Sequence, residues 1–470
     1  MTPSPPPSIN LMGAHHSHGK AGRLPTSWVT ATLQQTFKQI NHGQDGNCTT
    51  DRFKEATKDK LPPSLQVQLC RRFLTIGLLH SHKAAEFTVH NFISVITEAL
   101  DGTYEYRAKL IAEACLQVQE GQHAPEEVPV AELRKFLNQV WMCYERAERS
   151  SKQFATWLNM HSKDQTTLID YLVGRFTDHK PDMKDVNISQ IERILGDCNV
   201  LHAMWMRMFG GAFHLETADP ESDHLCSIPY SMDSNTCEPV GTELLTLPEL
   251  LFLSQHVSRA HCIRWRRLYC SRQHGASFLM MVKRVSDGGP CMLIIRDRDL
   301  GLFGAFASHG FVVGPNFRGD ESSFLFTLRP TIHAYHATSY DQNFAYMNWN
   351  QQTLPNGLGF GGTLEPEFFG LYLSNDFGTG KTQAMGSTFK CPQLSKQSNF
   401  TIDQVEVWAV DERKLLTESQ TEEAATRPSV LDVDPAVKAI LSMTGKGVHS
   451  EGMRSQDATA SSPEEHQRDF

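Results

Sequence analysis

Ser277, His274, Asp297, Asp299 and Glu406 carry side chains that, if brought together, would perform acyl-transfer or acid–base chemistry: a hydroxyl nucleophile, an imidazole base and carboxylates to orient it. Their context does not support that use. Ser277 lies in His274-Gly275-Ala276-Ser277-Phe278, without the G-x-S-x-G elbow that would present its hydroxyl. The five residues are read as buried hydrogen-bonding groups that fix strand geometry, and no catalytic residue is assigned. His333 and His336 lack the further ligands a metal ion would require.

Two glycine motifs invite a nucleotide. Gly357-Leu358-Gly359-Phe360-Gly361-Gly362 matches G-x-G-x-x-G, but it follows Pro355-Asn356 with no apolar strand before it and no helix-forming run after it. Its glycines are read as enabling close backbone packing. Gly378-Thr379-Gly380-Lys381-Thr382 approaches a P-loop, yet Asn375 stands where the pattern needs glycine, so an exposed hairpin or loop is expected, with no cofactor.

Two further patterns concern lipid and metal. Met12-Gly13-Ala14-His15-His16-Ser17 fits the myristoylation pattern, which would acylate Gly13 only if translation starts at Met12. One such chain gives reversible membrane association. In Asn41-His42-Gly43-Gln44-Asp45-Gly46 a glycine stands at position 6 of an EF-hand-like loop, but position 3 is Gly43 and position 12 is Arg52. A Ca²⁺ ion needs several oxygens, and the loop's first nine positions supply only the Asp45 carboxylate. No metal is therefore assigned here, and His15, His16 and His18 are read as solvated.

The elements that must position these residues follow from composition and periodicity. The 470 residues are 40% hydrophobic and 21% charged, with a net charge of -9, which gives no basic excess for nucleic acid. No run of eighteen apolar residues and no N-terminal apolar h-region is present, so a cytoplasmic protein is expected. The eleven cysteines form no C-x-x-C and are read as reduced, mostly buried thiols.

Residues 1–26 are expected to be a disordered tail and 27–215 a helical region. There Leu133, Phe136, Leu137, Val140, Trp141 and Tyr144 recur with helical spacing and make one apolar face. Further helices are predicted over 30–40, 64–79, 89–100, 105–119, 167–176 and 188–208. Several are preceded by a short extended piece, as in the second half of an EF-hand, which makes the region a helix-pair scaffold. Residues 216–239 read as a linker. From 240 to 412 short apolar runs between Gly, Asp and Asn predict antiparallel strands, interrupted by a helix over 278–285. In 413–470 a short helix over 435–443 presents Val437, Ile440, Leu441 and Met443 to a partner or to its own domain.

The stretch from Trp265 to Trp408 resembles the TLDc domain. The resemblance rests on Trp265-Arg266-Arg267-Leu268-Tyr269, His274-Gly275-x-Ser277-Phe278, Phe303-Gly304-Ala305-Phe306, Gly361-Gly362, Phe369-Gly370-Leu371-Tyr372-Leu373 and Val405-Glu406-Val407-Trp408. With its degenerate EF-hand-like helices, its Gly13 motif and its tail, the chain is similar to the mTOR-associated, lysosomal branch of that family. The resemblance implies an α+β multidomain fold, with an all-α EF-hand-like half, a two-sheet antiparallel β-sandwich with flanking helices and a C-terminal helix. It gives Trp265, His274, Gly275, Ser277, Gly361, Gly362, Gly370, Glu406 and Trp408 structural roles. It implies a non-enzymatic, monomeric adaptor that binds V-ATPase subunits and mTOR-pathway proteins at lysosomal or other endomembrane surfaces, with Val437, Ile440, Leu441 and Met443 as a pump contact. A protein protecting against oxidative stress through a catalytic polar cluster, or a Ca²⁺-responsive binding module, is the alternative.

Overall fold

The computed structural model describes residues 26–77, 85–119, 122, 125–160, 165–215, 227–286, 289–364 and 367–410. Gly13 and the tail residues Val437, Ile440, Leu441 and Met443 lie outside them. Among the described residues no helix is long and apolar enough to cross a membrane.

The N-terminal half runs α1 (Thr26–Ile40), β1 (Cys48–Thr49), α2 (Thr50–Ala56), α3 (Pro63–Gly77), β2 (Glu86–Phe87), α4 (Val89–Asp101), α5 (Tyr104–Leu116), β3 (Glu127–Pro129), α6 (Val130–Arg149), α7 (Lys152–Thr156), α8 (Thr166–Phe176), β4 (Asp185–Asn187), α9 (Ile188–Asp197) and α10 (Asn199–Phe213). The expected extended-piece-then-helix units have a local cause. In three of them a polar residue at the end of the extended piece caps the helix: Thr49 accepts from the Arg52 amide, Thr88 from Asn91 and Asn187 from Gln190. The pieces then pair in twos, with Cys48 opposite Phe87 and Val128 opposite Val186. Along α6 the six residues picked out by spacing are all buried. They join one core with the aromatic cluster of Phe37, Phe53, Phe73, Phe87, Phe92 and Phe213.

The predicted helix over 188–208 is instead two helices. Cys198, with φ -109° and ψ 93°, is extended and breaks the run between α9 and α10. Likewise β5 (Tyr230–Asp233) occupies part of the expected linker, where its backbone pairs in parallel with the strand that carries Trp265.

The second half contains α11 (Leu247–Ser254), β6 (Arg264–Cys270), α12 (Ser271–His274), α13 (Phe278–Val285), β7 (Cys291–Asp297), β8 (Leu302–Ala307), β9 (Phe324–Arg329), β10 (His333–His336), β11 (Ala345–Asn348), β12 (Gly357–Phe360), β13 (Leu371–Ser374), β14 (Thr379–Thr382) and β15 (Asn399–Ala409). The strands form one hydrogen-bonded path, β10-β9-β8-β7-β15-β14-β13-β12-β11, with β6 also on β15 and β5 on β6. The long β15 makes this possible: its first residues pair with β14 and the rest with β7 and β6. Because side chains alternate along a strand, β15 serves two cores. Val405 and Val407 join Leu293, Ile295, Phe303, Leu358, Phe360 and Leu371 in a core shared by both ends of the sheet. Trp408 faces the other way and joins Trp265, Met292, Ile294, Phe306 and Phe324 in the core of the helical half. The fold is thus α+β, with helices in the first half and a large antiparallel sheet in the second.

Candidate functional site

The polar residues of the second half do not converge on a reactive centre. Glu406 comes from β15 and is fully buried. Its Oε2 accepts from the Thr242 hydroxyl at 2.7 Å and from the Trp408 indole N–H at 3.0 Å, while Oε1 accepts from the Glu243 amide at 3.1 Å. Thr242 in turn accepts from the Leu244 and Leu245 amides. This chain of bonds fastens residues 242–245, just before α11, to the middle of the sheet. Burial raises the Glu406 carboxyl above the usual carboxylate range, outweighing the Thr242, Glu243 and Trp408 donors and the nearby Arg267.

His274, Gly275 and Ser277 build the turn between β6 and α13. The His274 Nδ1 accepts from the Cys270 amide at 3.0 Å, so that atom carries no proton to give away. Loss of solvent and the charges of Arg284 and Arg267 hold the imidazole below its ordinary range. Gly275 has φ +83°, and its carbonyl accepts from the Tyr269 hydroxyl at 2.5 Å. Ser277 caps α13, accepting from the Met280 amide. Asp297 accepts from the Gly301 amide and the Ser395 hydroxyl, closing the β7–β8 turn, whereas Asp299 is exposed. Glu406, His274, Ser277 and Asp297 are each engaged in bonds of their own, and among the described residues none of these bonds joins one member of the possible hydrolytic set to another.

The two nucleotide-like motifs resolve into strands. Gly357–Phe360 is β12, paired on both sides. Gly361 and Gly362 follow with φ +66° and +100°, and a Cβ on Gly362 would stand 2.0 Å from the Phe368 carbonyl. Gly370 supports a close approach of Leu325 across the core. Thr379–Thr382 is a strand, β14, entered by a turn in which Asp376 accepts from the Gly378 and Thr379 amides. Neither motif leads into a helix, the element that a dinucleotide or P-loop site needs for its phosphate.

The loop of residues 41–52, whose sequence was compared with an EF-hand loop, holds a cation of its own. Arg52, at position 12, reaches back so that Nη1 donates to Asn41 Oδ1 at 2.6 Å and to Gln44 Oε1 at 3.0 Å. A guanidinium thus engages the side chain at loop position 1, and its charge opposes a divalent ion. Calorimetric titration of the protein with CaCl₂ to millimolar concentration is expected to give no saturable heat from this loop; micromolar binding lost in Arg52→Ala would reverse that expectation.

Thiol chemistry is equally disfavoured at the buried positions. Nine of the ten described cysteines are buried, Cys237 being the exception, and none is in a disulfide. Burial pushes the thiols of Cys70 and Cys262 up to about 12 and those of Cys143 and Cys391 up to about 11, which suppresses the reactive thiolate.

Three features of the site gave no signal in the sequence. Trp157, at the end of α7, stands 5.0 Å from the Trp408 ring and 6.1 Å from Trp265, and donates from Nε1 to the Pro229 carbonyl at 2.7 Å. Glu148 and Arg207 form a buried ion pair at 3.2 Å, with the Ser151 and Ser227 hydroxyls donating to the carboxylate. Lastly, a cleft of about 440 Å³ between α8 and β10 is walled by Asp170, Tyr171, His179, His333 and Tyr335. All three join segments far apart in the chain, so local pattern could not reveal them.

Comparison with known proteins supplies the context for this geometry. Residues 240–411 match the TLDc domain model. The "MTOR-associated protein MEAK7" of Gallus gallus is 40% identical over 213 residues, covering 45% of this chain and 44% of that protein. In that alignment the chain spans about half the relative's length. The Xenopus laevis protein of the same name is 26% identical over 468 residues, covering 95% of this chain and 98% of the relative. "Oxidation resistance protein 1" of Bos taurus is 30% identical over 181 residues, covering 38% of this chain and 20% of that protein.

Proposed function

We propose that residues 240–411, which match the TLDc domain model, fold and act as a TLDc domain, and that the chain is a non-enzymatic adaptor linked to mTOR-type growth signalling. The observation that carries the proposal is the likeness to an mTOR-associated protein along both the helical half and the TLDc half. The geometry is compatible with it: the polar residues of the TLDc half hold its own backbone, which leaves surfaces rather than a reaction centre to do the work. In this reading the folded-over sheet is a two-layer sandwich that serves as the docking body. The helical half is an EF-hand-like scaffold fixed by packing and by Arg52 rather than by metal.

The finer reading is that the partner at the membrane is the V-ATPase of lysosomes or other endomembranes. The TLDc surface would make one weak contact and the segment containing Val437, Ile440, Leu441 and Met443 a second. Two such contacts on one chain raise avidity without a larger interface, provided the connecting segment spans them. Myristoylation at Gly13, if Met12 is the start, would add a reversible lipid contact.

Pull-down from detergent-solubilised endomembranes with the full chain, and with a chain ending before Ser429, tests both levels. The full chain is expected to recover pump subunits together with mTOR-pathway proteins, and the shorter chain to recover fewer pump subunits. Recovery of neither group by the full chain would overturn the adaptor reading. Equal pump recovery from both chains would remove the tail contact.

A further inference from the structure

One surface of the second half combines exposed apolar side chains with positive charge, in a chain whose net charge is -9. α13 buries Phe278, Met281, Val282 and Val285, which are spaced for one helical face. That spacing turns Leu279, Met280 and Lys283 outward, and Leu279 keeps 38% and Met280 37% of its surface exposed. Two further segments adjoin this helix. Ser286, just past its end, bridges to Phe311, and the exposed Val312 and Val313 follow. Val313 bridges in turn to Met347, and Arg318 to Ala345, which lays residues 313–318 along β11. Just after β11 the half-buried Trp349 packs on Phe278 with ring centroids 5.7 Å apart, which joins the third segment to the helix.

The charges of these segments have one sign. Residues 272–286, 309–318 and 344–358 contain Arg272, Lys283, Arg284 and Arg318 and no aspartate or glutamate. Arg272 is paired with Glu243 at 2.7 Å. Lys283, Arg284 and Arg318 have no ion pair among the described residues, and the Arg284 Nε has no hydrogen-bond partner. Carboxylates nearby are engaged elsewhere: Asp320 accepts from the Ser322 amide and pairs with His309 at 3.3 Å, and Asp376 accepts from the Gly378 and Thr379 amides. Asp287 lies outside the described residues.

We propose that this face docks on an anionic phospholipid surface, with Leu279, Met280, Val312 and Val313 entering the headgroup layer and Lys283, Arg284 and Arg318 meeting the lipid phosphates. Charge complementarity selects the occupant: unpaired cations without a carboxylate among them seek an anionic surface, and the aliphatic side chains between them seek an apolar one. A leaflet boundary supplies both in layers, and tryptophan is a residue that settles at that boundary. Each cation near such a surface adds to the attraction, and salt screens it. The proposal does not rest on the adaptor reading. A chain that binds protein-free vesicles but recovers neither pump subunits nor mTOR-pathway proteins would defeat that reading and leave this one standing.

Sedimentation of the full chain with vesicles tests the docking, using protein made without acylation so that Gly13 carries no lipid. Binding is expected to vesicles of equal parts phosphatidylcholine and phosphatidylserine, with little to phosphatidylcholine alone, and should weaken between about 0.1 M and about 0.5 M NaCl. Lys283→Gln/Arg318→Gln should bind about thirtyfold more weakly, since two cations leave the anionic surface. Met280→Gln/Val313→Gln should lose about tenfold by withdrawing apolar area from the headgroup layer. All four side chains are exposed, so the thermal midpoints of both variants should match the wild type. Absence of binding to the anionic vesicles, or undiminished binding by both folded double variants, would overturn the proposal. So would wild-type binding to an acidic polypeptide such as polyglutamate, lost in Lys283→Gln/Arg318→Gln, without binding to vesicles, which would assign the face to an acidic protein. Should a double variant fail to fold, Arg318→Gln alone is expected to weaken vesicle binding about fivefold, and no change in it would count against the docking.

Discussion

Replacing Glu406 by alanine is expected to destabilise the folded chain by about 3 kcal/mol, because three donors, two of them in buried bonds, lose their acceptor at once. The Thr242 hydroxyl, the Glu243 amide and the Trp408 indole all donate to this carboxylate, and the bonds from Thr242 and Trp408 are buried. Glu406→Gln, which keeps one carbonyl oxygen, should cost less than alanine at every pH. The two variants also separate hydrogen bonding from charge. Since burial raises the folded carboxyl pKa above its unfolded value of about 4.5, the folded state holds its proton more tightly than the unfolded chain does. Stability from this group is then greatest below about pH 4.5 and declines as pH rises towards the folded value. Glutamine carries no such penalty, so its deficit relative to the wild type should shrink between pH 5 and pH 7.5 in urea titrations. A deficit that grows over that interval would show that the donors stabilise the carboxylate more than burial opposes it. If Glu406→Ala folded with wild-type stability and lost a measurable catalytic activity, the carboxylate would have a chemical role after all.

The residues involved explain how much was legible beforehand. Glu406, Trp408 and Trp265 stand out because they sit in short strands of alternating character, and their motif order suffices to suggest a TLDc domain. The face of α6 is legible for a similar reason: six apolar side chains at helical spacing leave one way to bury them. The turn chemistry of Gly275 and Ser277 also follows from residue type, since one tolerates φ +83° and the other caps a helix. What remained hidden depends on contacts across long stretches of chain. Nothing near Thr242 announces that its hydroxyl belongs to a carboxylate in β15. Tyr230–Asp233 has a polar, turn-rich neighbourhood that reads as linker, yet it becomes a strand because β6 offers it an unpaired edge. The break at Cys198 is masked in the sequence because apolar spacing continues through it, although Gly196, Asp197 and Asn199 are residues that favour helix ends. In the first loop, Arg52 could be seen to replace a metal-binding carboxylate, but not that its guanidinium would turn back onto Asn41 and Gln44.

Trp157→Ala is expected to have the other large effect, destabilising the chain by about 3–5 kcal/mol, and it asks whether the two halves fold as one unit. Trp157 belongs to the helical half, whereas Trp408 and Trp265 belong to the sheet, and the three rings pack in a single buried cluster. Deleting the indole leaves a cavity between elements that other side chains already hold in place, so collapse can fill little of it. It also orphans the Pro229 carbonyl that Nε1 had bonded, at the entry to β5. Because the core of the helical half includes Trp265, Met292, Phe306 and Trp408 from the sheet, the wild type should unfold in one cooperative transition. With the cavity placed at the junction, calorimetry of Trp157→Ala should show a lower midpoint and a transition broadened or split between the halves. Trp157→Phe retains most of the ring packing and loses the bond to Pro229, so about 1–2 kcal/mol is expected. If Trp157→Ala lowers the midpoint but leaves a single sharp transition, the junction is carried by the remaining contacts of the shared core. Were it to match Trp157→Phe, the hydrogen bond to Pro229 would outweigh the packing, and the cluster would matter mainly for the path of residues 229–233 into the sheet.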